Sequence, residues 1–247
     1  MKCGVFTQAS YSKKLLLIVF VVLSVFISIA YANRVEREVT SQDIVYIKKI
    51  LHEADYKPQA LKYSKDYQQQ LRSIMAVQEA VFKTTPGTAP IPQNRTREPE
   101  DLYKLNSANC SDRSRFMDKA LRYLGFRTRY AFVAGTSHMH LFRSESGPTS
   151  HALIEVKTDK GWLFVDSVSP WIALKANRKP VSLEEWRGVS NKMSFPWKKQ
   201  EDAKLFPLLM QDFYPVYGLY SLHGRFYPPY WPFPDINWYE FMYNITI

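Results

Sequence analysis

LNSANCSDRSRFMDKALRYLGFRTRYAFV, residues 105–133, and SHALIEVKTDKGWLFVDSVSPW, residues 150–171, decide how this chain is read. The first stretch predicts a helix that starts after Asn106 or Ser107, runs to about Leu124 and stops at Gly125, a common helix-ending residue. Phe116, Ala120, Leu121 and Leu124 fall on one face and supply its buried stripe. Arg127–Ala134, His151–Thr158 and Trp162–Ser167 are rich in β-branched and aromatic residues and read as strands. Asp159 and Lys160 connect the last two as a hairpin. The fold class expected is α+β, with a cysteine-bearing helix packed on an antiparallel sheet.

Cys110, His151 and Asp166 follow one another in the order nucleophile, base and orienting acid. A thiol titrates near 8.5 and reacts as the thiolate. The amino end of a helix stabilises that anion through its dipole and free N–H groups, and Cys110 is expected within the first turn or so of its helix. A histidine can pair with the thiolate and later protonate a leaving amine. A carboxylate holds the imidazole in the useful tautomer. With a two-residue turn at Asp159-Lys160, Thr158 pairs with Gly161, and His151 and Asp166 fall on one sheet face as diagonal neighbours. A shift of one residue in register would separate them.

The cysteine at a helix start, Leu-Gly-Phe-Arg-Thr-Arg-Tyr leading into a strand, His-Ala-x-x-Glu-Val, then Gly-Trp and Asp together resemble the transglutaminase-like superfamily. The resemblance covers about residues 105–171. It implies a papain-like core in which Cys110 is the nucleophile, His151 the general acid/base and Asp166 its orienter. It also implies acyl chemistry through a thioester, by hydrolysis or transfer to an amine, with no metal and no organic cofactor. Ala108 stands where the family often has glycine, and Ser167 where it often has proline. One oxyanion donor is the Cys110 N–H; an upstream side chain should supply another. The competing reading is a non-catalytic binding or assembly module for cell-surface glycans or peptides.

Working outward, residues 15–32 (LLLIVFVVLSVFISIAYA) are apolar and preceded by Lys2, Lys13 and Lys14 with no acid. Eighteen helical residues span roughly 27 Å, close to the hydrocarbon thickness of a bilayer. Lysines on the amino side hold residues 1–14 in the cytoplasm and place the rest outside, periplasmic or at the cell surface. Ala30-Tyr31-Ala32 also fits a signal-peptidase site, which would release a secreted protein, but the length of the run favours an anchor. Either way Cys110 is the single exported cysteine, because Cys3 is the other of the two. A structural disulfide within the domain is thereby excluded, leaving a nucleophile, an intermolecular bridge or a small buried hydrophobe.

The formal charge is +10, and residues 33–247 carry 30 basic and 23 acidic side chains. The basic residues are scattered, so a solvated surface is expected and nucleic acid is not an expected partner. The partners expected are a peptide, protein or cell-surface glycan substrate, and the membrane through the amino-terminal helix. Thr40 to Asp43 form a capping box that opens a short amphipathic helix through about His52, and Asp66 to Phe82 predict another; both are expected to pack against the catalytic core within one domain of residues 33–205. Residues 83–100, with four prolines, read as an extended loop, and Ser182 caps a short helix near Trp186. Asp112, Arg113 and Arg115 read as an exposed helix face. His138 and His140 with His151 have metal-ligand spacing, but no second exported cysteine or acidic cluster accompanies them. Residues 206–247 contain 14 aromatics and six prolines, and are expected to pack on the domain, with sugar stacking as the alternative use of those rings.

Overall fold

The computed structural model describes residues 5–92, 95–135, 150–198, 204–222 and 235–246. Helix α1 (Val5–Ala32) contains the apolar run, and its stretch Lys13–Ala32 is long and apolar enough to cross a membrane. Leu15 to Phe20 and Val25 to Ile27 are all more than half exposed, so none of this segment is buried in the protein.

Two helices brace the core. In α2 (Ser41–Glu53), Thr40 and Asp43 form the expected capping box, each side chain accepting the other's backbone N–H. Helix α3 (Tyr67–Thr84) is capped by Asp66 and buries Leu71, Ile74, Val77 and Val81 on one face. The loop expected over residues 83–100 is shorter than the sequence reading. Pro99 opens a further helix, α4 (Pro99–Leu105), because its fixed φ suits a first helical turn and its missing N–H costs nothing there.

Helix α5 (Cys110–Tyr123) packs across strands β1 (Arg127–Gly135) and β2 (Ser150–Thr158). Gly125 follows with φ +96°, the left-handed conformation that ends the helix without a Cβ clash. Strand β3 (Gly161–Val165) completes the hairpin, pairing Thr158 with Gly161 and Ile154 with Val165, the register derived from the two-residue turn. All pairings in the four-stranded sheet are antiparallel, in the order β3-β2-β1-β4.

After a short helix α6 (Leu183–Arg187), with Ser182 accepting from the Glu185 N–H, the chain reaches β4 (Phe213–Tyr217). This strand pairs with β1, so the carboxy-terminal segment supplies part of the central sheet as well as a cover for it. Beyond it, β5 (Leu219–Tyr220) and β6 (Asp235–Ile236) form a small second sheet, followed by α7 (Trp238–Phe241) and a turn over Met242–Ile245. The core is continuous from Ile47 and Ile74 through Phe116, Ile154 and Phe164 to Trp186 and Tyr217.

Candidate active site

The cysteine sits nearer its helix end than the sequence reading placed it. Asn109, not Asn106 or Ser107, is the cap: its side chain accepts the Asp112 N–H at 3.1 Å and Asp112 returns the bond to the Asn109 N–H at 3.1 Å. Cys110 is therefore the first helical residue, and its N–H has no intrahelical acceptor. The preceding turn is held by Ala108 N–H donating to Gly87 O (3.2 Å) and by the Ser107 hydroxyl donating to Ala89 O (2.9 Å).

His151 enters from the start of β2 and Asp166 from the residue after β3; both are fully buried. The His151 Nε2 lies 3.3 Å from Asp166 Oδ1. That leaves Nδ1, which is buried, as the ring nitrogen available to the thiol. One face of the imidazole stacks on Phe206, with ring centroids 4.0 Å apart. Asp166 is fixed from several directions. Its Oδ1 also accepts the N–H groups of Val168 (2.7 Å) and Ser169 (3.2 Å). The Gln78 side-chain amide of α3 donates to the carbonyls of Asp166 (2.8 Å), Trp171 (3.0 Å) and Ser169 (3.2 Å), clamping the turn that carries the carboxylate.

The electrostatics favour an ion pair. Burial pushes the Cys110 thiol up, but the hydrogen bond and charge of His151, with N–H donors from Ala152 and Ser111, outweigh it and bring the thiol below its ordinary value. Burial pushes His151 down, yet its bonds to Asp166 and then Cys110 raise it to about 9. A depressed thiol beside an elevated imidazole is the arrangement that holds thiolate and imidazolium together near neutrality.

Arg113 corrects the expectation of an exposed charged face. Asp112, Arg113 and Arg115 are all buried. Asp112 closes the cap and accepts the Ile91 N–H at 3.0 Å. Arg115 pairs with Glu98 at 2.8 Å. The Arg113 guanidinium donates to Thr85 O (2.7 Å), Thr85 Oγ1 (3.1 Å), Gly87 O (3.1 Å) and Ser167 O (3.4 Å). It thus ties the loop before α4, the cysteine helix and the turn after Asp166 at one point, one helical turn from Cys110. Sequence reading missed Arg113 because an alternating charged run ordinarily marks a solvated face. Gln78 carried a usable signal, a polar residue seven positions after Leu71 on an otherwise apolar stripe. Phe206 carried none, since its contact with His151 spans 55 residues of chain.

His138 and His140 lie outside the described residues, and among the described residues no group of three His, Cys, Asp or Glu side chains could hold a metal ion. Residues 58–167 match the family model for the transglutaminase-like superfamily, a span that begins before α3 and ends one residue after Asp166. The chain carries a transglutaminase-like domain. No curated protein and no solved structure matches the chain. The domain's helix-on-antiparallel-sheet architecture fits the α+β class, and all three candidate residues fall inside the matched span. Strand β4, which completes the sheet of this transglutaminase-like domain, lies beyond that span.

Proposed function

We propose that this transglutaminase-like domain is a cysteine enzyme acting on an amide or related acyl group through a thioester. The observation that carries the reading is the buried, hydrogen-bonded pair His151–Asp166, with the half-buried Cys110 as first residue of α5 and its thiol lowered by His151. The Cys110 thiolate attacks the acyl carbon, forming the C–S bond and pushing charge onto the carbonyl oxygen. As the first residue of α5, Cys110 has an N–H with no intrahelical acceptor, which makes it one oxyanion donor for that charge. As the intermediate collapses, the C–N bond breaks and the His151 imidazolium gives its proton to the departing amine. Neutral His151 then takes a proton from water or an incoming amine, whose oxygen or nitrogen attacks the thioester and releases the thiolate. Asp166 keeps Nε2 engaged throughout, so that Nδ1 is the nitrogen that exchanges protons with the reacting atoms.

The apolar helix α1 is long enough to anchor the domain, and lysines on its amino side favour a domain outside the cytoplasm. A peptide, protein or surface-glycan substrate suits that location. The test uses Cys3→Ser as background, so that Cys110 is the single thiol, and follows iodoacetamide alkylation by intact mass from about pH 5 to 9. Alkylation well below the ordinary thiol range, lost in His151→Ala, is expected. A folded protein whose Cys110 resists reagent until it is unfolded would overturn the enzyme reading and leave the binding module.

A further inference from the structure

The segment after β6 presents an unusual surface. Trp238, Tyr239, Met242, Tyr243 and Ile245 are exposed at 41%, 68%, 55%, 39% and 70% within eight residues. The segment is also anchored firmly, since Glu240 on its inner side is buried and bonded to Arg122 at 2.6 Å and to Tyr220 at 2.9 Å. Exposed large apolar side chains concentrated on a rigid element mark a contact surface rather than a packing defect.

Its position says what it contacts. The residues just after α1 are sewn to it: Val35 N–H donates to Ile236 O (2.9 Å), Ile236 N–H to Asn33 O (2.8 Å), and the Asn237 side-chain amide to Val35 O (2.9 Å). The Trp238 indole N–H lies 3.5 Å from Ala30 O, inside the last turn of α1. The aromatic segment therefore stands beside the point where the apolar helix ends. Arg34, bridged to Ile236 and paired with the exposed Glu36 at 2.7 Å, and Arg37, 3.5 Å from Glu240 and 4.2 Å above the Tyr239 ring, flank it. Tryptophan and tyrosine beside arginine at the end of an apolar span is the composition that the bilayer–water interface favours: rings at headgroup level, cations towards phosphate.

We propose that residues 238–245 form a second membrane contact, seating in the lipid interface next to α1 and holding the domain against the bilayer in one orientation. This rests on α1 remaining attached as an anchor. A single apolar helix leaves a domain free to swivel about its exit point. A second contact, joined to the first by the Asn33–Ile236 pairing, removes that freedom and fixes which side of the domain faces away from the lipid. The occupant is lipid, not sugar, because the patch adjoins the span and mixes aromatic rings with Met242 and Ile245, which offer a polar sugar nothing.

The experiment is depth-resolved tryptophan quenching on the full chain reconstituted in phosphatidylcholine nanodiscs. The lipids are unlabelled, brominated near the headgroup end of the acyl chains, or brominated near the chain ends. The difference in emission between the wild type and Trp238→Phe isolates Trp238 from the other tryptophans. That difference should fall to about half or less with shallow bromine and change little with deep bromine, as for an interfacial ring. A Tyr239→Ser, Ile245→Ser double variant, which alters only exposed side chains and keeps Trp238, should restore most of the difference signal. Equal Trp238 emission in all three lipids overturns the proposal. Intact mass distinguishes the two failures: a chain that has lost α1 in the producing cell removes the anchor on which the proposal stands, whereas an intact chain with unquenched Trp238 defeats the second contact alone.

Discussion

Asp166→Asn separates charge from geometry at the candidate site more cleanly than any other single change. The Asp166 Oδ1 accepts from Val168 and Ser169 as well as facing His151, and an asparagine oxygen can accept the same three bonds. The turn therefore survives while the negative charge goes. His151 is raised from 6.5 to about 9, which corresponds to about 3 kcal/mol favouring the imidazolium. Asp166 is the first of the groups that raise it, ahead of Cys110. Neutralising it should lower His151 by about one to two pH units, the usual effect of one adjacent carboxylate. The direction of the stability effect follows. A group whose folded value lies above its unfolded value stabilises fully below the unfolded value, near 6.5, and loses that contribution as pH rises through about 9. The variant should thus lose stability chiefly on the acid side of that window, and converge on the wild type above it. NMR titration of the His151 ring nitrogens reads the first effect and denaturant unfolding at several pH values the second. In the Cys3→Ser background, the alkylation profile of Cys110 should move to higher pH, though less than in His151→Ala, which removes the ion-pair partner altogether. An unchanged His151 titration in a folded Asp166→Asn protein would refute the relay, since among the described residues no other carboxylate bonds to that ring.

Other perturbations test the frame around the site. Arg113→Met strands the carbonyls of Thr85, Gly87 and Ser167 in a buried setting and removes a cation one turn from Cys110. Unfolding should become easier by about 2–4 kcal/mol, with Cys110 alkylation displaced to higher pH, and Arg113→Lys should recover part of both. Gly218→Ala should be severe: φ is +76°, and the new Cβ would sit 2.5 Å from Phe241 N and 2.6 Å from Asn237 O, both backbone atoms. A loss of at least about 2 kcal/mol is expected by denaturant titration, and a neutral result would mean that α7 does not pack here. Arg129→Leu leaves Glu155 without its 2.6 Å partner in the sheet interior, and about 3–5 kcal/mol should be lost in the same assay. Reporter fusions after Lys14 and after Glu38 should place the first in the cytoplasm and the second outside; finding residue 38 in the cytoplasm would overturn the compartment proposed for Cys110.

The sequence by itself determined what is local. The hairpin register came from turn length, because a two-residue connection leaves Thr158 opposite Gly161 and the period of two carries the pairing outward. Helices α2 and α3 were legible from a cap followed by an apolar stripe, and the end of α5 from Gly125. The order cysteine, histidine, aspartate was likewise readable, since each stands at the end of an element whose type the pattern reveals. Tertiary structure decided what depends on contacts distant in the chain. Whether Asp112, Arg113 and Arg115 meet water or carbonyls is a question about what packs on α5, and the loop at residues 85–91 and Glu98 answer it. The cap at Asn109 rather than Asn106 followed from where the chain turns, which Gly87 and Ala89 fix by accepting from Ala108 and Ser107. Residues 206–247 showed only an excess of aromatic residues and prolines. That Phe206 stacks on His151, that β4 edges the sheet, and that Trp238 sits beside the end of α1 are pairings of segments from about 55 to 208 residues apart. Local pattern and propensity carry no information at that range; burial of shared apolar surface does.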